Sequence, residues 1–394
     1  MYGRKTSIVA TLFGVEPLFK NKAPRSAYIH IPFCVHRCGY CNFSVVAGRR
    51  DLVEPLLDSL AVELSWLGTQ REVDTLYFGG GTPTYLTPEQ LGILAENVLL
   101  WHPLASGYEW TVEANPANLD SQRIDKLAEL GVNRLSLGGQ SFQARKLELL
   151  ERDHQADHIR QAVRLAHQAG MQVSLDLIFA VPGETLEQWE SDLEQALNLQ
   201  PEHISTYGLT FERGTAYWSR QQRNELTPLS EELQRDMYLL AIDRLMAFGF
   251  EHYEVSNFAL PGCRSRHNEA YWLADGYYAA GPGAARYVAG VRETNHRSTT
   301  TYLKRIQQGE SPIAQREKLN TRERAHEKLI FGLRRLEGVQ RQTFQKQCGM
   351  ELDLVAGPAI ARLVEMGMLT DDGQSVRLTR AGLLVSDAIW PELL

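Results

Sequence analysis

Cysteine is scarce in this chain, apolar runs are short, and charge of neither sign collects in blocks. Each shortage excludes something. Five cysteines in 394 residues, unevenly spread, are too few for a disulfide framework. They suit a reducing compartment where thiols hold metal or stay free, and the cytoplasm is the expected location. No uncharged apolar stretch reaches the roughly 18 residues that a membrane-spanning helix needs, so no membrane span is expected. A net charge of −7 without runs of like charge gives no electrostatic footprint for nucleic acid or an anionic bilayer. What remains is a globular composition, 43% hydrophobic, enough for one large core or two moderate ones. The first residues, "MYGRKTSIVATLFGVEPLFK", place Arg4 and Lys5 before a short apolar run but lack a small-residue cleavage site. Residues 1–25 therefore read as an N-terminal extension.

From residue 26 short apolar or alternating runs separate amphipathic stretches. The pattern predicts strands at Ala27–Ile31, Thr75–Phe78, Glu109–Ala114, Arg134–Leu137, Gln172–Phe179 and His203–Leu209. Between them it predicts helices at Asp51–Trp66, Pro88–Leu100, Ser121–Leu130, Gln155–Ala169 and Leu186–Leu199. Such alternation implies an α/β fold with a parallel sheet under helices, as a barrel or an open sheet, over residues 26–215. In that architecture function sits where strands end. Glycine and proline collect at those ends, in "FGGGTPT", "EANP", "LGGQSF" and "FAVPGET".

Past residue 215 the rhythm breaks. A connecting region, 216–315, holds a long helical stretch from Ser230 to Phe248 and an aromatic-rich segment that includes "HNEAYW". Residues 316–394 read as three helices and two short strands around Asp371-Asp372-Gly373, a small winged-helix-like domain. With one basic pair, Arg334-Arg335, in an acidic chain, packing or docking suits that domain better than DNA binding.

The segment "HIPFCVHRCGYCNF" gathers Cys34, Cys38 and Cys41. Three thiolates cannot close a structural zinc site, which wants four ligands; His30 or His36 would have to supply the fourth. The alternative is a [4Fe–4S] cluster held by three thiolates with one iron left open.

Here the sequence resembles radical S-adenosylmethionine proteins, whose C-x₃-C-x-aromatic-C signature is matched by Cys34, Cys38, Tyr40 and Cys41. That resemblance implies a partial (β/α)₆ TIM-like barrel and an open iron chelated by the amino and carboxylate groups of S-adenosylmethionine. It also implies an electron donor and reductive cleavage to a 5′-deoxyadenosyl radical. It assigns Tyr28, Tyr40, Gly80, Gly81, Thr82, Glu113, Gln140, Arg152 and Asp176 to the S-adenosylmethionine pocket, with the glycines letting backbone approach the ligand. "YIHIPFC", "GGGTPT", "NRLSLGGQSF" and "DLIFAVPGET" are similar to the oxygen-independent coproporphyrinogen III oxidase group, over residues 26 to about 390. The decarboxylating members carry a fourth cysteine where Phe43 stands here, and a longer N-terminal region. "HNEAYW" is similar to the HNxxYW motif of the heme-chaperone branch of that group. The resemblance implies His267 as a heme ligand with Tyr271 and Trp272 against the porphyrin, and Cys263 as a candidate second ligand; Ala285 stands where relatives place histidine. The expected partners are heme, an acceptor hemoprotein and an electron donor, and a homodimer is compatible with the reading. Coproporphyrinogen III decarboxylation is the rival expectation, and a zinc-stabilised scaffold the third.

Overall fold

The computed structural model describes residues 23–394, so the extension expected over 1–25 lies almost wholly outside the described residues. β1 (Ser26–Ile31) runs into the cysteine loop, which a two-residue parallel pair closes, β2 (Phe33–Cys34) with β3 (Val46–Ala47). Helices and strands then alternate: α1 (Val53–Ser65), β4 (Val73–Gly80), α2 (Pro88–Trp101), β5 (Leu104–Ala114), α3 (Ser121–Leu130) and β6 (Arg134–Gln140). A short α4 (Ala144–Leu149) precedes α5 (Ala156–Gln168), β7 (Gln172–Phe179), α6 (Leu186–Asn198) and β8 (His203–Gly208). The helix starts are set locally. Thr87 and Thr185 close capping boxes with Gln90 and Gln188, and Asp120 accepts the Arg123 N–H. Strands β1, β4, β5, β6, β7 and β8 lie side by side in that order and parallel, as helical crossovers require.

The pleat divides each strand's side chains between two environments. Ile29, Leu76, Trp110, Val112, Leu135 and Leu175 are fully buried in the main core with the helices. Their neighbours Tyr77, Thr111, Glu113, Arg134, Ser136 and Asp176 instead line a cavity on the other face.

The sheet does not stop where the alternation does. After α7 (Ala216–Gln222) and α8 (Glu231–Ala247), β9 (Glu251–Glu254) and β10 (Asn257–Ala259) add antiparallel strands beside β8. α9 (Arg266–Trp272) follows, and β11 (Tyr278–Ala280) pairs parallel with β1 on the far edge. The region expected to connect two domains thus supplies three strands of a nine-stranded sheet, in the order β11-β1-β4-β5-β6-β7-β8-β10-β9. The order is open, so the barrel is partial.

β12 (Ala285–Val288), β13 (Val291–Asn295) and, beyond α10 (Thr299–Gln307), β14 (Ile313–Lys318) form a separate antiparallel sheet. The C-terminal unit comprises α11 (Thr321–Arg334), β15 (Val339–Gln340), α12 (Arg341–Cys348), α13 (Leu352–Glu365), β16 (Leu369–Asp371) and β17 (Ser375–Leu378). Its own core includes Leu329, Leu333, Phe344, Ile360 and Val376. It is joined to the barrel through backbone bonds from Val255 N–H to Arg334 O (3.2 Å) and from Leu336 N–H to Tyr253 O (3.1 Å). Among the described residues no helix is long and apolar enough to cross a membrane.

Candidate functional site

The polar face of the sheet encloses a cavity of about 640 Å³, and Cys34, Cys38 and Cys41 all line it. The loop that carries them is tied down from several directions. Tyr217 N–H bonds Gly39 O (3.0 Å), Arg297 Nη2 bonds Asn42 O (2.6 Å), and Ser44 Oγ donates to Arg297 O. Arg152 reaches the loop from across the cavity, with Nη1 3.7 Å from Cys38 Sγ and Nη2 on Gly138 O at 2.9 Å. Its buried Nε has no partner among the described residues.

Burial pushes the Cys34 thiol up to about 11, against the bond from the Thr82 hydroxyl, and raises that of Cys41. Thiols so placed stay neutral until a cation offsets the cost of the thiolate. Three half-buried thiols on one loop, facing a cavity with a guanidinium beside one of them, form a donor set that fits a [4Fe–4S] cluster. Among the described residues no three His, Cys, Asp or Glu side chains are gathered as a metal-binding group. Both histidines that the zinc reading needs as a fourth ligand are engaged in hydrogen bonds here. His30 is held between Tyr28 OH (2.9 Å) and Ser44 O (2.8 Å), and His36 Nε2 is engaged by Glu151 O.

Most residues assigned to the S-adenosylmethionine pocket converge. Tyr40, Gly80, Gly81, Thr82, Glu113, Gln140, Arg152 and Asp176 all line the same cavity. Glu113 is walled in, accepting from Tyr77 OH and Gly80 N–H at 2.8 Å each. Burial holds it at about 7 despite those bonds, with the charge of Asp176 adding to the rise. Asp176 is raised to about 6, again by burial, while the hydroxyls of Ser205 and Ser136 oppose the shift. A β-bulge between Leu137 and Gln140 gives Gln140 a φ of 63°. That is an uncommon setting for a non-glycine residue, of the kind that gathers at functional sites.

Tyr28, Gly80 and Gly81 carry further structural roles. Tyr28 does not line the cavity; its hydroxyl engages His30 and its ring lies 6.0 Å from that of Tyr77. Gly80 and Gly81 line the cavity, and their lack of side chains also makes room for the cysteine loop. A Cβ on Gly81 would lie 2.6 Å from Phe33 O, and one on Gly80 2.4 Å from the His30 ring. Their missing side chains admit the cysteine loop.

The HNEAYW segment forms α9, at the opposite end of the strands from the cysteines. The Glu109 carboxylate accepts the Arg266 and His267 N–H groups at 3.0 Å each, and Ser265 caps the helix at Asn268 N–H. His267 is 2% exposed, with Nδ1 2.9 Å from Thr75 Oγ1 and Nε2 3.1 Å from Tyr271 OH. Burial drops its pKa to about 3, so the imidazole is neutral. Trp272 lies under the Arg334 guanidinium, 4.4 Å from the ring centroid. In this conformation, then, the expected heme ligand is not presented: both of its ring nitrogens are bonded and Trp272 is covered. Cys263 does not pair with it either; its sulfur lies 3.7 Å from Gln172 Nε2.

Comparison with known proteins now bears on this geometry. Residues 28–196 match the Radical SAM superfamily and residues 319–385 the HemN C-terminal domain. The chain is 36% identical to the heme chaperone HemW of Lactococcus lactis, over 94% of its own length and 97% of that protein. It is 34% identical to the heme chaperone HemW of Bacillus subtilis, over 93% and 98%. The chain belongs to the HemW family of radical SAM proteins. Its fold also superposes on the coproporphyrinogen III oxidase HemN of Escherichia coli, a radical SAM enzyme, with a TM-score of 0.84 over 95% of this chain and 92% of that one. At 20% identity that likeness is one of fold.

Within the HemW family frame, several cavity residues escaped the reading of the sequence. Thr111, Arg134, Ser174, His203 and Ser205 line the deeper part of the cavity, with Ser265 and Asn268 from the start of α9. The signal for the strand residues was present. A polar residue at every second position of a strand expected to be buried on both faces marks a polar interior.

Proposed function

We propose that this protein is a heme chaperone that carries a [4Fe–4S] cluster on Cys34, Cys38 and Cys41, binds S-adenosylmethionine in the adjoining cavity, and passes heme to an acceptor hemoprotein. The observation that carries the reading is kinship with the heme chaperone of Lactococcus lactis over 94% of the chain, a span that takes in both the cysteine loop and HNEAYW. The cavity supports its cofactor half. A cluster bound there supplies one-electron reduction of S-adenosylmethionine. The protein's own part is to hold and orient. Arg152 steadies Cys38 and offers a guanidinium to a carboxylate, Glu113 and Asp176 offer carboxylates to an ammonium or hydroxyls, and Gln140 offers an amide. Phe43, 67% exposed, occupies the place of the extra cysteine of the decarboxylating enzymes.

Heme ligation through His267 Nε2 requires its contact with Tyr271 OH to open, while the Nδ1 bond to Thr75 Oγ1 can remain and orient the ring. The test uses the anaerobically reconstituted full chain with S-adenosylmethionine and a reductant. Saturable heme binding without conversion of coproporphyrinogen III to protoporphyrinogen is expected. Turnover of coproporphyrinogen without heme binding would replace this reading with the enzymatic one.

A further inference from the structure

α9 is wired into the wall of the cavity. His267 lies nearly flat on Tyr77, with ring centroids 4.9 Å apart and planes 28° apart, while Thr75 Oγ1 holds its Nδ1 at 2.9 Å. Tyr77 passes the contact on, donating to Glu113 Oε1 at 2.8 Å, while Glu113 Oε2 takes the Gly80 N–H. The Tyr77 ring has little room to settle elsewhere. Tyr28 is stacked beside it, and a Cβ on Gly79 would stand 2.7 Å from its ring and 2.9 Å from the Glu113 carboxyl. His267 itself is closed in by Tyr271, whose ring meets it edge-on at 5.1 Å.

We propose that His267 is a positioning residue for the S-adenosylmethionine site: packed on Tyr77, it sets the hydroxyl that fixes the Glu113 carboxylate for the ligand's ammonium. This rests on the pocket proposed above.

The test is equilibrium binding of S-adenosylmethionine to the anaerobically reconstituted full chain. Tyr77→Phe and His267→Ala are each expected to weaken binding about tenfold, and the double variant by no more than about twofold beyond either single one, since both act on one chain of contacts. His267→Phe keeps a flat ring on Tyr77 and should stay within about threefold of wild type, which preserves the test if His267→Ala does not fold. Unchanged affinity in Tyr77→Phe and His267→Ala, or losses that multiply to about a hundredfold, overturns the proposal. Failure of the wild type to bind S-adenosylmethionine would sink the pocket reading and this inference together.

Discussion

Glu113 has a hydrogen-bond donor on each carboxylate oxygen, yet burial keeps it at about 7. Its folded pKa lies above the unfolded value near 4.5. The protonated acid thus contributes stability that is full below that lower value and is lost as pH rises through about 7. Glu113→Gln removes this dependence. Relative to wild type, the ligand-free Gln variant should gain on the order of 1–3 kcal/mol between pH 4.5 and 8, measured as the difference in denaturation free energy at the two pH values. A constant difference would show that Glu113 does not titrate in that window. The cysteines were legible at this scale because three of the chain's five stand within eight positions on one loop. Thr75 and Tyr77 were not, because a polar residue at alternate positions of a strand also describes a solvent face. Only the folded sheet shows that this face lines a cavity.

At the scale of elements, the glycine turn after β4 and the cysteine loop after β1 fit each other like the two halves of a hinge. The Gly81 N–H bonds Ile31 O at 2.8 Å, the Thr82 N–H bonds Phe33 O at 2.7 Å, and a Gly81 side chain would collide with Phe33 O. Gly81→Ala should therefore push the loop away at a cost of about 1–3 kcal/mol, and iron content after reconstitution should fall well below that of wild type. Full iron loading in that variant would show that the loop moves freely against the turn. The alternating strands and helices were readable because each is long enough to show its period. β9, β10 and β11, of three or four residues each, are too short to carry one. β10 and β11 are fixed by pairing with β8 and β1, which lie far away in sequence, and β9 by pairing with β10. The cap residues that start α2, α3 and α6 were, by contrast, local signals and could be read as such.

Across the whole molecule, the two motifs stand at two ends of one cavity. The cysteine loop closes one end, and α9 closes the other, with Trp272 gripped by Arg334 of the C-terminal unit. The winged-helix-like unit is thereby part of the housing of the HNEAYW helix, a role its sequence shows only as a lack of basic residues for DNA. Motif spacing marked both sites, but it could not reveal that they share a wall or that His267 is buried, because those facts depend on how distant strands close around the helix. The central claim is that the histidine at the closed end receives heme. The most direct measurement is a heme titration of the anaerobically reconstituted protein, wild type beside His267→Ala, followed by optical difference spectra. The account predicts saturation near one heme per chain in the wild type and loss of that binding in the variant; no binding by the wild type, or binding indifferent to His267, would contradict it.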